Sequence, residues 1–507
     1  MRGLNALDFV VIVVYLVGIT LLGVYVGRRQ RDSKDYFVAD RSIPWWAVMF
    51  SIVASETSAL TFISIPGLAY TTNLGFLEIA TGYLFGRIAL AYTLLPRYYE
   101  GNLVTAYALL EQRFGLATRR FTSIVFMATR GMADSVRVFA TAVPIALIIG
   151  PLLPHAAVMP VAVLVLGTLT VLYTIKGGMR AVVWTEIVQA SVYLVGGLAA
   201  AILAGHLVTG GWSAIVHTAS AAGKLHMISW STTLTDPNTM FAGIIGGAFL
   251  SMASHGADQL IVQRLLSSRS LKDARMAVIG SGVAVIIQFA LFLMLGIGLW
   301  AFYGNKQFPT PDAIFPTFIV DQMPHGLVGL LLAAVLAATM STHSGAINAL
   351  AAASTHDIYL PLTGHTKDDA QTLRVGRIFA LVWGIILTGG ALLFPENQKT
   401  PVVVIALSIA SFTYGGLLGG FFLAIFWARA RQRDAVLGMS VGIAVMSVIV
   451  FAKQISAAVP AWADALKPVS QIAYPWYVLI GTLITLGVGI LSSLTHGANP
   501  PAQAESI

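Results

Sequence analysis

The sequence predicts an all-α integral membrane protein of about thirteen transmembrane helices. Three observations carry that expectation. Hydrophobic residues make up 57% of the 507-residue chain and charged residues only 10%, against roughly 25% charged in soluble proteins. Apolar runs long enough to cross a bilayer begin near Leu7, Trp45, Leu74, Phe121, Val158, Val182, Met240, Ala274, Leu327, Gly376, Pro401, Ala435 and Ile472. The cations also sort by side: 21 of the 30 Lys and Arg, with Arg28, Arg113 and Arg264 among them, fall in the loops at one end of those runs. The positive-inside rule then places the N-terminus outside and the C-terminus in the cytoplasm, in a multi-pass protein of the plasma membrane. The net charge of +8 reports topology, and no nucleic-acid partner is implied. A chain without Cys has neither disulfides nor thiolate metal sites.

Taken in order, the first run, Leu7 to Val26, is too long for a signal core and is stopped by GRRQR, so it is read as a true span. The second, Trp45 to Tyr70, carries Ala54-Ser55-Glu56-Thr57-Ser58 at its centre, where lipid favours Leu or Val. A charge at mid-membrane costs at least ~2.5 kcal/mol and faces a cavity or a partner. Small hydroxyl residues compete for backbone hydrogen bonds, so this helix is predicted to break there and release carbonyls for an ion or solute. The stretch Tyr98 to Arg120 has helical periodicity and is expected to lie along the membrane surface. Further ionisable or imidazole residues interrupt later spans: Glu78, Arg87, Arg130, Asp134, Arg137, Glu186, His255, Asp258 and His343. Buried charges pair or line aqueous paths, so their spans should share one interior, with the first and last two spans outside it. Arg137 suits a solute carboxylate, because a guanidinium matches carboxylate in a two-point fork; a bridge to Glu56 is the alternative.

The outer connection His206 to Asn238 is expected to hold a short surface helix. Neither long loop contains a P-loop, an H-E-x-x-H or a G-x-S-x-G, so no enzyme is predicted. The seventh span mixes hydroxyls, imidazole and Gly in Ser251-Met252-Ala253-Ser254-His255-Gly256 and should also be discontinuous. It lies five spans after the first interrupted helix, the spacing of a five-plus-five inverted repeat with broken core helices 1 and 6. In the ninth span Ala338, Ser341 and Thr342 share one helical face. With carbonyls near Ala54 and Thr57 they make an oxygen cage suited to a hard monovalent cation. The eleventh span carries overlapping GxxxG spacings, read as close helix packing, and Ser411 and Thr413, secondary candidates for a solute path.

Together WWAVMFSIVASETSALTF, PGLAY, KGGMRAVVWTEIVQ, IVQRLLSSRSLKDAR, LAATMSTHSGAINALAAASTHDIY and GGLLGGFFLAIFW resemble the sodium/solute symporter family, which includes the sodium–glucose cotransporters, over roughly Leu7 to Arg431. The resemblance implies a LeuT-type fold. One peripheral helix with a cytoplasmic loop (1–44) precedes a first repeat (45–206), an extracellular loop (207–238), a second repeat (239–432) and two C-terminal helices with a short tail (433–507). It implies a sodium ion held by Ala54, Thr57, Ala338, Ser341 and Thr342. A second sodium site of some members would draw on Glu186 and Ser344, but Gly345 replaces one of its hydroxyls. At the family's substrate positions stand Glu56, Thr61, Ser251, Ser254 and His255, unlike the sugar-binding set.

The reading is inward symport of a small polar solute (carboxylate, amino acid or sugar) with sodium, across a lipid bilayer and without an obligatory protein partner. Proton coupling through Glu56, Glu186, Asp258, His255 and His343 is the mechanistic alternative, and a channel the alternative of class.

Overall fold

Broken and kinked helices, rather than a uniform bundle, organise the chain. The structure is a computed structural model and describes residues 5–28, 32–57, 59–100, 103–149, 153–304, 306–364, 369–393 and 402–496.

Helix α1 (Ala6–Val26) opens on a reciprocal cap in which Asn5 and Asp8 exchange side-chain and backbone bonds. The buried Asp8 carboxylate also takes the backbone N–H groups of Gly326 at 2.7 Å and Gly329 at 3.0 Å, with His325 Nδ1 at 2.9 Å. That acid ties α1 to the start of a distant helix, while Val10, Val14 and Leu21 stay exposed along its outer face, as lipid contact requires. Helices α2 (Trp45–Glu56) and α3 (Ala59–Thr71) are bent by 64° across their break. The interruption falls where the polar run predicted it. Ser55 Oγ bonds back to the Ser51 carbonyl at 2.8 Å, and Thr57 leaves the helix with φ −84°, ψ 93°.

Then come α4 (Phe76–Tyr92), α5 (Leu116–Ile149) and the long α6 (His155–Leu207). The last is two arms joined at Gly178, whose φ of 53° and ψ of −160° are open to glycine and strained for other residues. A π-turn (Ala242–Gly246) leads into α7 (Gly247–Gly256), which stops before Asp258 restarts the chain as α8 (Gln259–Leu266). The second interruption therefore sits at Ala257–Asp258, at the edge of the polar motif rather than at its middle. Asp258 has extended backbone and caps α8 by accepting from Leu260 N at 2.8 Å. Carbonyls released at this break are taken up locally: Tyr98 Oη donates to Gly256, and Tyr107 Oη to Ala257 at 3.3 Å.

The chain continues through α9 (Leu271–Tyr303), α10 (Leu327–Ala353), α11 (Asp369–Leu392), α12 (Val402–Phe426), α13 (Gln432–Val450) and α14 (Trp476–Leu494). Among the described residues seven helices are long and apolar enough to cross a membrane, and the bent α2–α3 pair makes an eighth. Helix α10 packs most extensively on α6 and also touches α2 and α8, which sets it at the centre. The GxxxG run of α12 closes on α14: a Cβ on Gly415 would lie 2.7 Å from Gly481 Cα, and one on Gly419 2.6 Å from Thr485 Cβ. The connection from α6 to the π-turn carries the expected helix, Gly211–Ala221.

The stretch Tyr98 to Arg120 turns one face inward, where Tyr98, Tyr107 and Leu110 are fully buried beneath the second break, while Glu100, Gln112 and Ala117 stay exposed. One expectation needs correction. Arg264, read as a loop cation, lies inside α8 with no exposed surface.

Candidate functional site

Three buried polar clusters lie along the two interrupted helices, and the second of them closes against α10. The first forms at the end of α2. Glu56 is ion-paired with Arg87 of α4, and His255 Nε2 of α7 lies 3.7 Å from the same carboxylate. Arg87 also reaches Ser281 Oγ of α9 at 2.7 Å and Ser251 Oγ of α7 at 3.4 Å. His255 Nδ1 faces Ser254 Oγ at 2.9 Å and the Ser251 carbonyl at 3.2 Å. The sequence candidates Glu56, Ser251, Ser254 and His255 are thus brought together, around an arginine not included among them. Glu56 keeps 20% of its side-chain surface open, against none for Arg87.

The second cluster is closed. Glu186 of α6 has no exposed side-chain surface. It accepts from Ser51 Oγ, from Ser55 Oγ at 3.1 Å and from Ser341 Oγ at 3.2 Å, and is ion-paired with Arg264. Ser51 and Ser55 are one turn apart on α2, so both hydroxyls face α6. Ser344 turns instead to its own helix and donates to the Ser341 carbonyl at 3.0 Å.

The third links α5 to the second break. Arg130 joins Asp134 with Asp258, the latter at 3.2 Å, and Arg137 lies 3.0 Å from Asp134 Oδ1. Tyr414 Oη of α12 donates to Asp258 at 2.6 Å. Arg137 therefore shares an acid with Arg130, while the Glu56 carboxylate offered as its alternative partner is engaged by Arg87.

Around these clusters the cage candidates fall on two helices in contact. Ala54 and Thr57, both buried, end α2, and Ser341 and Thr342, also buried, lie on α10. Thr57 Oγ1 accepts from Gln288 Nε2 at 2.6 Å, and Gln288 Oε1 from Tyr193 Oη at 3.0 Å. That chain ties the first break to α9 and α6. Thr61 is half-buried on α3, and Thr413 is buried beside Tyr414. For Ala338 and Ser411 the helical backbone alone is described.

Sequence reasoning missed Arg264, Ser51, Ser55 and Gln288, and left Arg87 outside the site. The signal was present for both arginines: each interrupts an apolar run, and a buried cation needs an acid. Among the described residues no group of three or more His, Cys, Asp or Glu could hold a metal ion. A cation here would rest on hydroxyls and carbonyls, which suits a hard monovalent ion.

Apolar spans interrupted at mid-membrane, with paired charges gathered at the breaks, define a secondary transporter. The model of the sodium:solute symporter family matches residues 36–442, and the chain belongs to that family. It is 28% identical to the sodium/sialic acid symporter NanT of Aliivibrio fischeri over 97% of this chain and 94% of that one. It is 30% identical to the sodium/sialic acid symporter SiaT of Proteus mirabilis over 86% of this chain and 88% of that one. A substrate-bound, outward-open structure of a Na+-coupled sialic acid symporter superposes with a TM-score of 0.83 at 26% identity, covering 98% of this chain and 99% of that one. The fold is LeuT-type, the protein is an integral membrane transporter, and sodium is its coupling ion.

Proposed function

We propose that this chain imports a small polar organic solute with sodium by alternating access, through one sodium site at the first break. The observation that carries the reading is the 64° bend between α2 and α3, set against a helix that offers Ser341 and Thr342. The carbonyls of Ala54, Thr57 and Ala338 and the hydroxyls of Ser341 and Thr342 form the cage. Residues 45–206 and 239–432 are the inverted repeats. Thirteen spans run from an outside N-terminus to a cytoplasmic C-terminus in the plasma membrane.

The solute lies beside the cage, against Glu56, Thr61, Ser251, Ser254 and His255, with Arg137, Ser411 and Thr413 along its path. The two relatives named above are sodium/sialic acid symporters, and Arg137 is the side chain assigned to a solute carboxylate here. The hydroxyls of Ser251 and Ser254 and the carboxylate of Glu56 suit the hydroxyl or amide groups of such a solute.

Proton coupling has one observation in its favour, the 3.7 Å approach of His255 to Glu56. Uptake of labelled sialic acid, monocarboxylates and amino acids into proteoliposomes at fixed pH separates the two. Sodium should be required, with potassium or choline unable to replace it. Uptake that ignores sodium and follows an imposed proton gradient would overturn the reading.

A further inference from the structure

We infer that the crevice between the outer ends of α3 and α9 is a second ligand site, which takes a small organic carboxylate carrying a sugar or hydrocarbon ring. That this end faces outside rests on the orientation proposed above. The crevice encloses about 260 Å³, and Tyr70 and Thr71 of α3, Trp300 of α9, and Lys306, Gln307 and Phe308 of the following loop line it. No residue assigned above to the sodium cage or the solute path is among its walls.

Those walls are built without a ligand. Gly304 leaves α9 with a φ of 62°, and Tyr70 holds the chain beyond it. Its Oη donates to the carbonyls of Lys306 at 2.8 Å and Gly304 at 3.3 Å. A Cβ on Gly67 of α3 would lie 2.2 Å from the Pro311 carbonyl oxygen, so loop and helix meet backbone to backbone. The Tyr70 and Phe308 rings stand edge to face at 5.7 Å.

Charge then selects the occupant. Lys306 Nζ lies 4.8 Å from the centre of the Tyr303 ring and 4.9 Å from that of Phe308. The two rings steady the ammonium, and its N–H donors have no acceptor among the described residues. Lys224 Nζ donates to the Tyr70 carbonyl at 2.7 Å and stands 5.6 Å from the Trp300 ring, so a second ammonium backs two of the walls. Asp312 and Asp321 belong to the same loop, and neither is ion-paired with either lysine. A carboxylate completes an ammonium through charge-assisted hydrogen bonds, and the three aromatic walls offer apolar faces to a ring. Most of the chain's Lys and Arg lie at the other end, and two at one mouth raise the local concentration of an anion. The transported solute at the entrance and a second extracellular acid share this chemistry.

The chain has no Cys, so one introduced thiol reports the crevice. Thr71→Cys and Gln307→Cys, either of which carries the test, should be labelled by a membrane-impermeant maleimide added to cells in sodium-free medium. Saturating sialic acid or benzoate should slow that labelling, and the uncharged methyl ester of the protecting acid should not. Lys306→Gln, added to either cysteine variant, should require about tenfold more acid for the same protection, and Lys306→Arg should restore it. In sodium-driven uptake, Lys306→Gln should raise KM at an unchanged maximal rate if the bound acid is the solute. It should leave KM unchanged if a second acid is the occupant. Labelling that neither acid slows, or protection that Lys306→Gln leaves intact, overturns the site while sodium symport stands. Labelling only after permeabilisation overturns the orientation and the outer site with it. Uptake that ignores sodium overturns symport and leaves the crevice untouched.

Discussion

Replacing Ser341 and Thr342 together by Ala is expected to abolish sodium-driven uptake, or to raise the half-maximal sodium concentration at least ~30-fold. A buried charge left without a ligand costs ~1–3 kcal/mol per missing partner, and each 1.4 kcal/mol is about a factor of ten. Two lost hydroxyls account for the estimate. The single substitutions should differ, because Ser341 Oγ also donates to Glu186 at 3.2 Å. Ser341→Ala removes a hydrogen bond from a buried carboxylate and should lower thermal stability as well as sodium affinity. Thr342→Ala should lower sodium affinity. Sodium activation of uptake, paired with melting curves in detergent, reads both. Unchanged sodium dependence in a correctly inserted double variant would dismiss the cage.

The second large effect is expected at Glu56 and Arg87. Removing one partner of a buried ion pair costs ~3–5 kcal/mol because the other charge stays behind unmatched. Arg87→Met should therefore depress both folded yield and uptake, by ~100-fold or more where the protein still inserts. Glu56→Gln leaves the fully buried Arg87 with only the neutral Ser281 and Ser251 as partners and should cost stability on the same scale. The double variant Glu56→Gln/Arg87→Met separates architecture from transport. It should regain much of the melting temperature lost in Arg87→Met. Uptake should remain low, because the partly open carboxylate assigned to the solute is gone. Full recovery of uptake in the double variant would make Glu56 a purely structural acid.

How far the chain could be read from its sequence depended on contrast. The α2–α3 break was legible because Glu56 and its hydroxyl neighbours stand alone in a long apolar run, and no loop reading competes. The same contrast brought out Ser251, Ser254 and His255. The second break was displaced to Ala257–Asp258 because polarity within the motif does not show which residue leaves the helix. Asp258 does so by capping α8 with its own side chain. Arg264 was misread because IVQRLL is a short apolar segment followed at once by Arg269 in the connecting loop and by Lys272 and Arg275 in the first turns of α9. Its partner, Glu186, lies far away in the sequence, and a single chain gives no pairing between the two. The inward packing of Tyr98 and Tyr107 escaped for a related reason. Helical periodicity shows that one face is apolar, but whether lipid or protein covers that face is decided by the break above it, whose carbonyls need phenolic donors.

The pairing of buried charges has an electrical consequence. With carboxylates ionised and His255 uncharged, Glu56 cancels Arg87, Glu186 cancels Arg264, and Arg130 with Arg137 cancels Asp134 with Asp258. The empty carrier thus presents no net charge from these clusters to the field across the bilayer, and they add no voltage dependence to its return. A cage of uncharged oxygens brings no counter-charge of its own, so the bound sodium adds its full charge to the loaded carrier. For a solute without net charge, a potential of ~100 mV then contributes about 2.3 kcal/mol to the inward step. For a monoanionic solute the loaded carrier is balanced again, and the same potential contributes nothing. The voltage dependence of uptake would in this way report the charge of the solute.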